Sequence, residues 1–398
     1  MKRLGLLILL LATACGGPVT SPAAATAHSV AWITGAGYRE DFIAEVEAAS
    51  GRELAEMPLG AVASDLRREY VVSTPAQQMQ TIDLNTGRVV RSLPLGGEYR
   101  LPIDATGMPA GLSANGRWLV LTGPDFRVVD TTGATPPRRL AFEGQMDFDA
   151  ISDDGSLLYA IQRLGQQYAV RVYNVPAGML DPNVVVGKGE PPVMAGVRGQ
   201  SVFSPDHAWQ FTIYRGGPTG AFIHALYLRQ PIAWCVFLPQ SPSTAAYGWS
   251  LAAAADRLYA ANTMLRLAVA IDWHGAASPW EEPEIVKTGH LPATIPAANA
   301  FLINAEAKEI GGSLAVSPDG ATLYAADAAV IQAIDTSSMA VRARWGAGVF
   351  SRIALGPRGD TLYWVNPEGQ LVGIDTQTGA VRTHPRLYFG ARAVLGVR

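Results

Sequence analysis

A short unit that recurs seven times along the chain constrains its fold more than any other feature. Its clearest form is SLAVSPDGATLYAAD, residues 313–327: an apolar strand, a Ser-Pro-Asp-Gly turn, and a second strand ending in an aromatic residue. The turn has a mechanism, because Pro presets φ, Asp bonds its own backbone and Gly accepts positive φ. The pattern returns as AVASDLRREYVVS, GLSANGRWLVLT, AISDDGSLLYAI, SVFSPDHAWQFTI, LAAAADRLYAAN and IALGPRGDTLYWV. The place of Tyr324 is taken by Tyr70, Val120, Tyr159, Phe211, Tyr259 and Tyr363, and successive copies lie 39 to 65 residues apart. A second signature follows each copy: a strand ending in Asp, a tight turn often closing with Gly, and another strand, as in TIDLNTGRVVRSL and GIDTQTGAVRTH. Together the two make a four-stranded antiparallel meander of about 40 to 50 residues, the size of a propeller blade. Each such sheet has two apolar faces that only neighbouring blades can cover, which predicts a circular array.

The stretch FIAEVEAASGRELAEMPLGA, residues 42–61, has apolar residues at helical spacing (Phe42, Ile43, Val46, Ala49), but Gly51 falls in mid-run. Its first nineteen residues align without a gap on QMQTIDLNTGRVVRSLPLG, setting Gly51 on Gly87 and Pro58 on Pro94. Residues 42–57 are therefore predicted to be the third and fourth strands of a blade, with HSVAWIT as its second. That blade lacks a first strand, and ARAVLGVR at 391–398 is a spare apolar strand after the last blade closes near His384. The C-terminal strand is predicted to complete the N-terminal blade. The expected fold is all-β, a propeller of eight four-stranded antiparallel blades. A seven-bladed ring is the alternative, with LYLRQPIAWCVFL, which has neither the Asp nor the Gly, as the weakest unit.

The repeat resembles the YVTN-type β-propeller repeats of bacterial surface and periplasmic proteins, over nearly all of residues 30–398. That resemblance specifies an architecture and no activity, since propellers host unrelated functions. Ahead of it, MKRLGLLILLLATAC has a basic start, an apolar run too short for a stable membrane span, and small residues before Cys15. Its end resembles a bacterial lipobox, with Ala12 where Leu is usual, which implies cleavage before Cys15 and lipidation of its sulfur. The expected organisation is a signal peptide at 1–14, a lipid-attached flexible Gly/Pro/Ala/Ser linker at 15–29 and one propeller at 30–398. The location is then the cell envelope, outside the cytoplasm, with a secreted or periplasmic soluble protein as the alternative. Net charge is −3 with no Lys or Arg run, so nucleic acid is not an expected partner, and the membrane is met only through the lipid. Cys235, the other cysteine, lies in the apolar IAWCVFL and is expected to be a buried, inert thiol.

Signatures of catalysis are sparse. GGSLA and GWSLA lack the last Gly of a nucleophile elbow, and GKGE at 187–190 lacks the Ser/Thr of a phosphate loop. DFDAISDDG gathers four Asp without EF-hand spacing, and Asp153-Asp154-Gly155 already serves as a repeat turn. The six histidines, at 28, 207, 224, 274, 290 and 384, form no H-x-H or H-E-x-x-H pair. AIDTSSMAVRARWGAG, with Asp335 and Trp345, resembles the docking repeat of eight-bladed quinoprotein dehydrogenases once, and the other copies lack the Trp. No cofactor, metal or catalytic residue is therefore assigned.

Insertions are where a repeat can carry function. The longest, about 273 to 311, brings aromatic and ionisable residues together: Trp273, His274, Trp280, Glu281, Glu282 and His290 are the candidate binding residues. A second insertion, PAGMLDPNVVVGKGEPPVMAGVRGQ, covers 176–200. Both also fit long surface loops, one of them covering a sheet edge. The expected function is a monomeric, lipid-anchored, non-catalytic binding or scaffold module for a protein, peptide or glycan. In architecture it resembles the propeller subunit of the outer-membrane barrel-assembly machinery. The alternative is a small-molecule enzyme, lactonase-like or a dehydrogenase subunit, with its site at the channel mouth.

Overall fold

The structure is a computed structural model that describes residues 29–398 except 37–40, 188, 190, 218–219, 240–247, 276–277, 293–312, 328–329, 347–351 and 388–390. Cys15 and the leader lie outside the described residues. Eight antiparallel sheets follow one another along the chain, each a blade whose strands are lettered a to d from the axis outward. Blade 2, for example, runs Ala61–Val62, Arg68–Ser73, Gln78–Asp83 and Arg88–Pro94. Blade 3 is the most reduced, its strand a contributing the single pair Leu112–Leu119. LYLRQPIAWCVFL forms strands of a full blade 5, in which Gly220–Tyr227 pairs with Ile232–Phe237. The ring is therefore eight-bladed, without a missing unit.

Closure is as the repeat alignment predicts. Blade 1 contains Val30–Ala36, Asp41–Glu47 and Glu53–Pro58, and its strand a is Ala391–Val397 from the other end of the chain. Ala31 pairs with Val397 and Ile33 with Val394, and Val30 and Arg398 exchange backbone hydrogen bonds of 2.8 and 2.9 Å. Gly51 and Gly87 occupy the same turn with φ of 71° and 63°.

The two sequence signatures have distinct physical tasks. In the second, the Asp caps the c–d turn: Asp375 accepts from the Gln377 and Thr378 amides at 3.0 and 2.7 Å. The aromatic of the first fastens one blade to the next. The Tyr159 hydroxyl of blade 4 donates to the Tyr227 and Gln230 carbonyls of blade 5, each at 3.0 Å. Tyr259 and Tyr324 stand beside the hydroxyls of Thr336 and Thr376 of the following blades. Outer strands add further latches, such as Arg91 Nη1 to the Thr131 carbonyl at 3.2 Å. Trp345 stands over the next blade's Gly379, where a Cβ would lie 2.4 Å from Nε1. Among the described residues, one apolar cluster spans each of the eight junctions, so the core is a ring of inter-blade layers.

Candidate functional site

The 273–283 segment is the c–d connection of blade 6, between Leu267–Asp272 and Glu284–His290. It is pinned from within and from the neighbouring blade. Asp272 Oδ1 accepts from the His274 amide at 2.8 Å while its Oδ2 meets Arg257 Nη1 at 3.0 Å. His274 and Gly275 take positive φ, 58° and 65°, which turns the chain back across blade 5. There two indoles hold it: Trp209 Nε1 donates to the Gly275 carbonyl at 3.3 Å and Trp234 Nε1 to the Pro279 carbonyl at 3.1 Å. The His274 ring closes the loop, with Nε2 3.1 Å from the Glu282 carbonyl and Nδ1 3.7 Å from Glu281 Oε2.

This arrangement separates the candidates. Trp273 is 2% exposed and packs 5.3 Å from Phe211, as a core residue. Trp280 is 70% exposed, the most exposed large apolar side chain among the described residues. His274, Glu281 and Glu282 stand together, the imidazole lying within 3.7 Å of both glutamates. His290 is elsewhere, paired with Leu267 at the far end of the strand whose first residue, Glu284, pairs with Asp272. Beside Trp280's loop, Val236 and Phe237 of blade 5 and Glu282–Ile285 of blade 6 line a groove of about 410 Å³. Val236 faces the groove, while the half-exposed Phe237 turns to the strand's other face and packs 5.9 Å from Phe222; Glu281, Glu282 and Glu284 give the rim a negative charge. Sequence reading missed the two anchoring indoles, because nothing local says which blade the loop lies against.

A second polar constellation, also missed, lies where blades 4 and 5 meet near the channel. Asp149 in strand a of blade 4 (Met146–Ile151) is buried, and its Oδ1 meets Arg198 Nη2 at 2.7 Å and Gln210 Nε2 at 3.0 Å. Arg198 Nη1 also donates to the Phe148 carbonyl at 3.1 Å. Asp149 Oδ2 and Arg198 Nε are buried without a hydrogen-bond partner. Asp149 sits at a β-bulge between Phe148 and Ala150, which turns a polar side chain into the junction. The Asp153-Asp154 pair does the work of a repeat turn: Asp154 Oδ1 accepts from the Ser152 hydroxyl and Ser156 amide, and Asp153 from the Asn115 amide.

No protein-family model matches the chain, and no curated protein matches its sequence. Solved structures match its fold. Apo AztD from Citrobacter koseri superposes with a TM-score of 0.59 at 10% identity, covering 93% of this chain and 98% of that one. A second Citrobacter koseri AztD structure gives 0.58 at 9% identity over the same shares. Dihydro-heme d1 dehydrogenase NirN, in complex with DHE, gives 0.49 at 14% identity over 93% of this chain and 74% of that one. At these identities the likeness is one of fold, a bacterial β-propeller.

Proposed function

We propose that this propeller is a monomeric binding module, lipid-anchored outside the cytoplasm, that engages a protein or peptide segment at the blade 5–6 rim. The observation that carries this reading is Trp280, 70% exposed on a loop whose Gly275 and Pro279 carbonyls are held by two indoles of the preceding blade. A large aromatic held rigid loses little entropy on binding and is a common energetic anchor of interfaces. The exposed Trp280 and the three carboxylates of Glu281, Glu282 and Glu284 favour a segment carrying an apolar residue beside basic ones, ahead of a neutral glycan. His274 acts as the loop's clasp, Trp273 as its root, and His290 marks the end of the supporting strand.

The test uses a photo-cross-linking residue placed at 278 in intact cells. A partner captured by the wild-type loop should be lost with Trp280→Ala, which should weaken binding about thirtyfold or more. It should also be lost with Glu281→Lys combined with Glu282→Lys. Unchanged capture by both variants refutes the rim as the binding surface. The anchor rests on MKRLGLLILLLATAC, and Cys15→Ser should release the protein from the membrane fraction, whereas unchanged retention refutes lipidation at that residue.

A small-molecule site at the channel mouth is the second reading, favoured by the Asp149–Arg198–Gln210 constellation and its orphaned atoms. Its mark would be ligand-induced stabilisation that Asp149→Asn removes and Trp280→Ala leaves intact.

A further inference from the structure

Deeper in the blade 4–5 junction, towards the rim, the side chains are sulfur-bearing and aromatic. Cys235, in the outer strand Ile232–Phe237 of blade 5, is 4% exposed and in no disulfide. Its thiol donates to Met194 Sδ at 3.5 Å. Met194 reaches that place through the 176–200 insertion, which leaves blade 4 after Met179–Leu180 and returns as Met194–Ala195 to pair with Gln167 and Tyr168. His224, in the adjacent strand, is the register partner of Cys235. Directly opposed residues on neighbouring strands share a face, with Cβ atoms about 4.5–5.5 Å apart. His224 is 2% exposed, and its Nε2 has no hydrogen-bond partner.

Aromatic contacts link these three residues further. Tyr168 OH lies 3.8 Å from Met194 Sδ, Tyr168 stacks on Tyr214 at 4.6 Å, and Tyr214 stands edge-on to His224 at 6.1 Å. Imidazole, thiol and thioether thus share one compartment walled by two tyrosines. We propose that His224, Cys235 and Met194 form a binding site for one soft monovalent metal ion, copper(I). Thiolate and thioether sulfur select that ion over hard divalent cations, and a neutral imidazole completes a three-coordinate set. On binding, the Cys235 S–H bond breaks, a Cu–S bond forms and the proton leaves to solvent, so the ion takes the place the thiol proton holds beside Met194. Among the described residues no three His, Cys, Asp or Glu side chains converge, so sulfur has to supply the third ligand.

The test is competition for copper(I), supplied anaerobically with ascorbate, between the reduced full-length protein and bathocuproine disulfonate. One equivalent should stay with the wild type and equally with Cys15→Ser. Met194→Leu, which keeps the volume and should keep the fold, and Cys235→Ser should each lower the affinity about tenfold or more. X-ray absorption at the copper edge should show one nitrogen and two sulfurs. The proposal is overturned if no copper is retained, or if Cys15→Ser abolishes retention. It is equally overturned if Met194→Leu, with wild-type circular dichroism, binds as the wild type does, or if zinc(II) displaces the copper at equal concentration.

Discussion

Replacing Glu69 by Gln should raise the stability of this propeller at pH 8 and leave it nearly unchanged at pH 4.5. Glu69 lies in strand b of blade 2 (Arg68–Ser73), at 0% exposure, on the side turned to blade 1. That side of the strand faces the hydrophobic cluster of Trp32, Ile43, Met57 and Ile82. Oε1 accepts from the Gly60 amide at 2.6 Å, while Oε2 is buried without a partner. Burial pushes the carboxyl pKa from 4.5 up to about 8, and the Gly60 amide offsets only part of that. The folded protein therefore holds the acid protonated at neutral pH, whereas the unfolded chain ionises it near 4.5.

This acid's contribution to stability is complete below pH 4.5 and falls as pH rises towards 8, where the folded carboxyl also ionises and the loss levels off. Each pH unit in that window removes about 1.4 kcal/mol, so the whole span removes on the order of 5 kcal/mol. Glutamine keeps the acceptor for Gly60 and has no proton to lose. Urea unfolding followed by tryptophan fluorescence, on both chains from pH 4.5 to 8.5, measures the difference directly, and titrations common to the two chains cancel. Parallel stability curves would show that Glu69 ionises in the folded state as it does in water, and would refute the argument.

Two further outcomes follow from the ring. Removing residues 391–398 strips blade 1 of its strand a, including Val394 at 0% exposure, and should abolish the single cooperative thermal transition and enlarge the radius seen by X-ray scattering; an unchanged melt refutes closure by this strand. Gly379→Ala should destabilise by about 1–2 kcal/mol for its φ of 73° plus a further loss from displacing Trp345, whereas Gly87→Ala, at φ 63° with open space around it, should show the backbone part alone; equal calorimetric losses would refute the Trp345 docking.

What the sequence by itself determined was everything set by local geometry. Alternation along a strand has a period of two, and turn chemistry depends on a few adjacent residues, so the repeat units, the strand pair at 42–57 and the spare strand at 391–398 were legible. Even the degenerate LYLRQPIAWCVFL is a blade, because its apolar strands survive where its turn signature does not. Pairing of the two termini followed by arithmetic, since a blade without a first strand needs one.

Only the tertiary structure decided what meets across the blade junctions. Trp273 and Trp280 are seven positions apart in one loop, yet one is core and the other surface, because Trp209 and Trp234 of the preceding blade dictate where that loop lies. His290 shares the insertion with His274 and is carried away from it by an extended strand. Cys235 and Met194 are 41 residues apart, and their sulfurs touch only because an insertion returns to the edge of blade 4. Sequence period says that a side chain faces one neighbour or the other; the packing of sheet on sheet selects the atoms that it meets, and the candidate sites are made of those meetings.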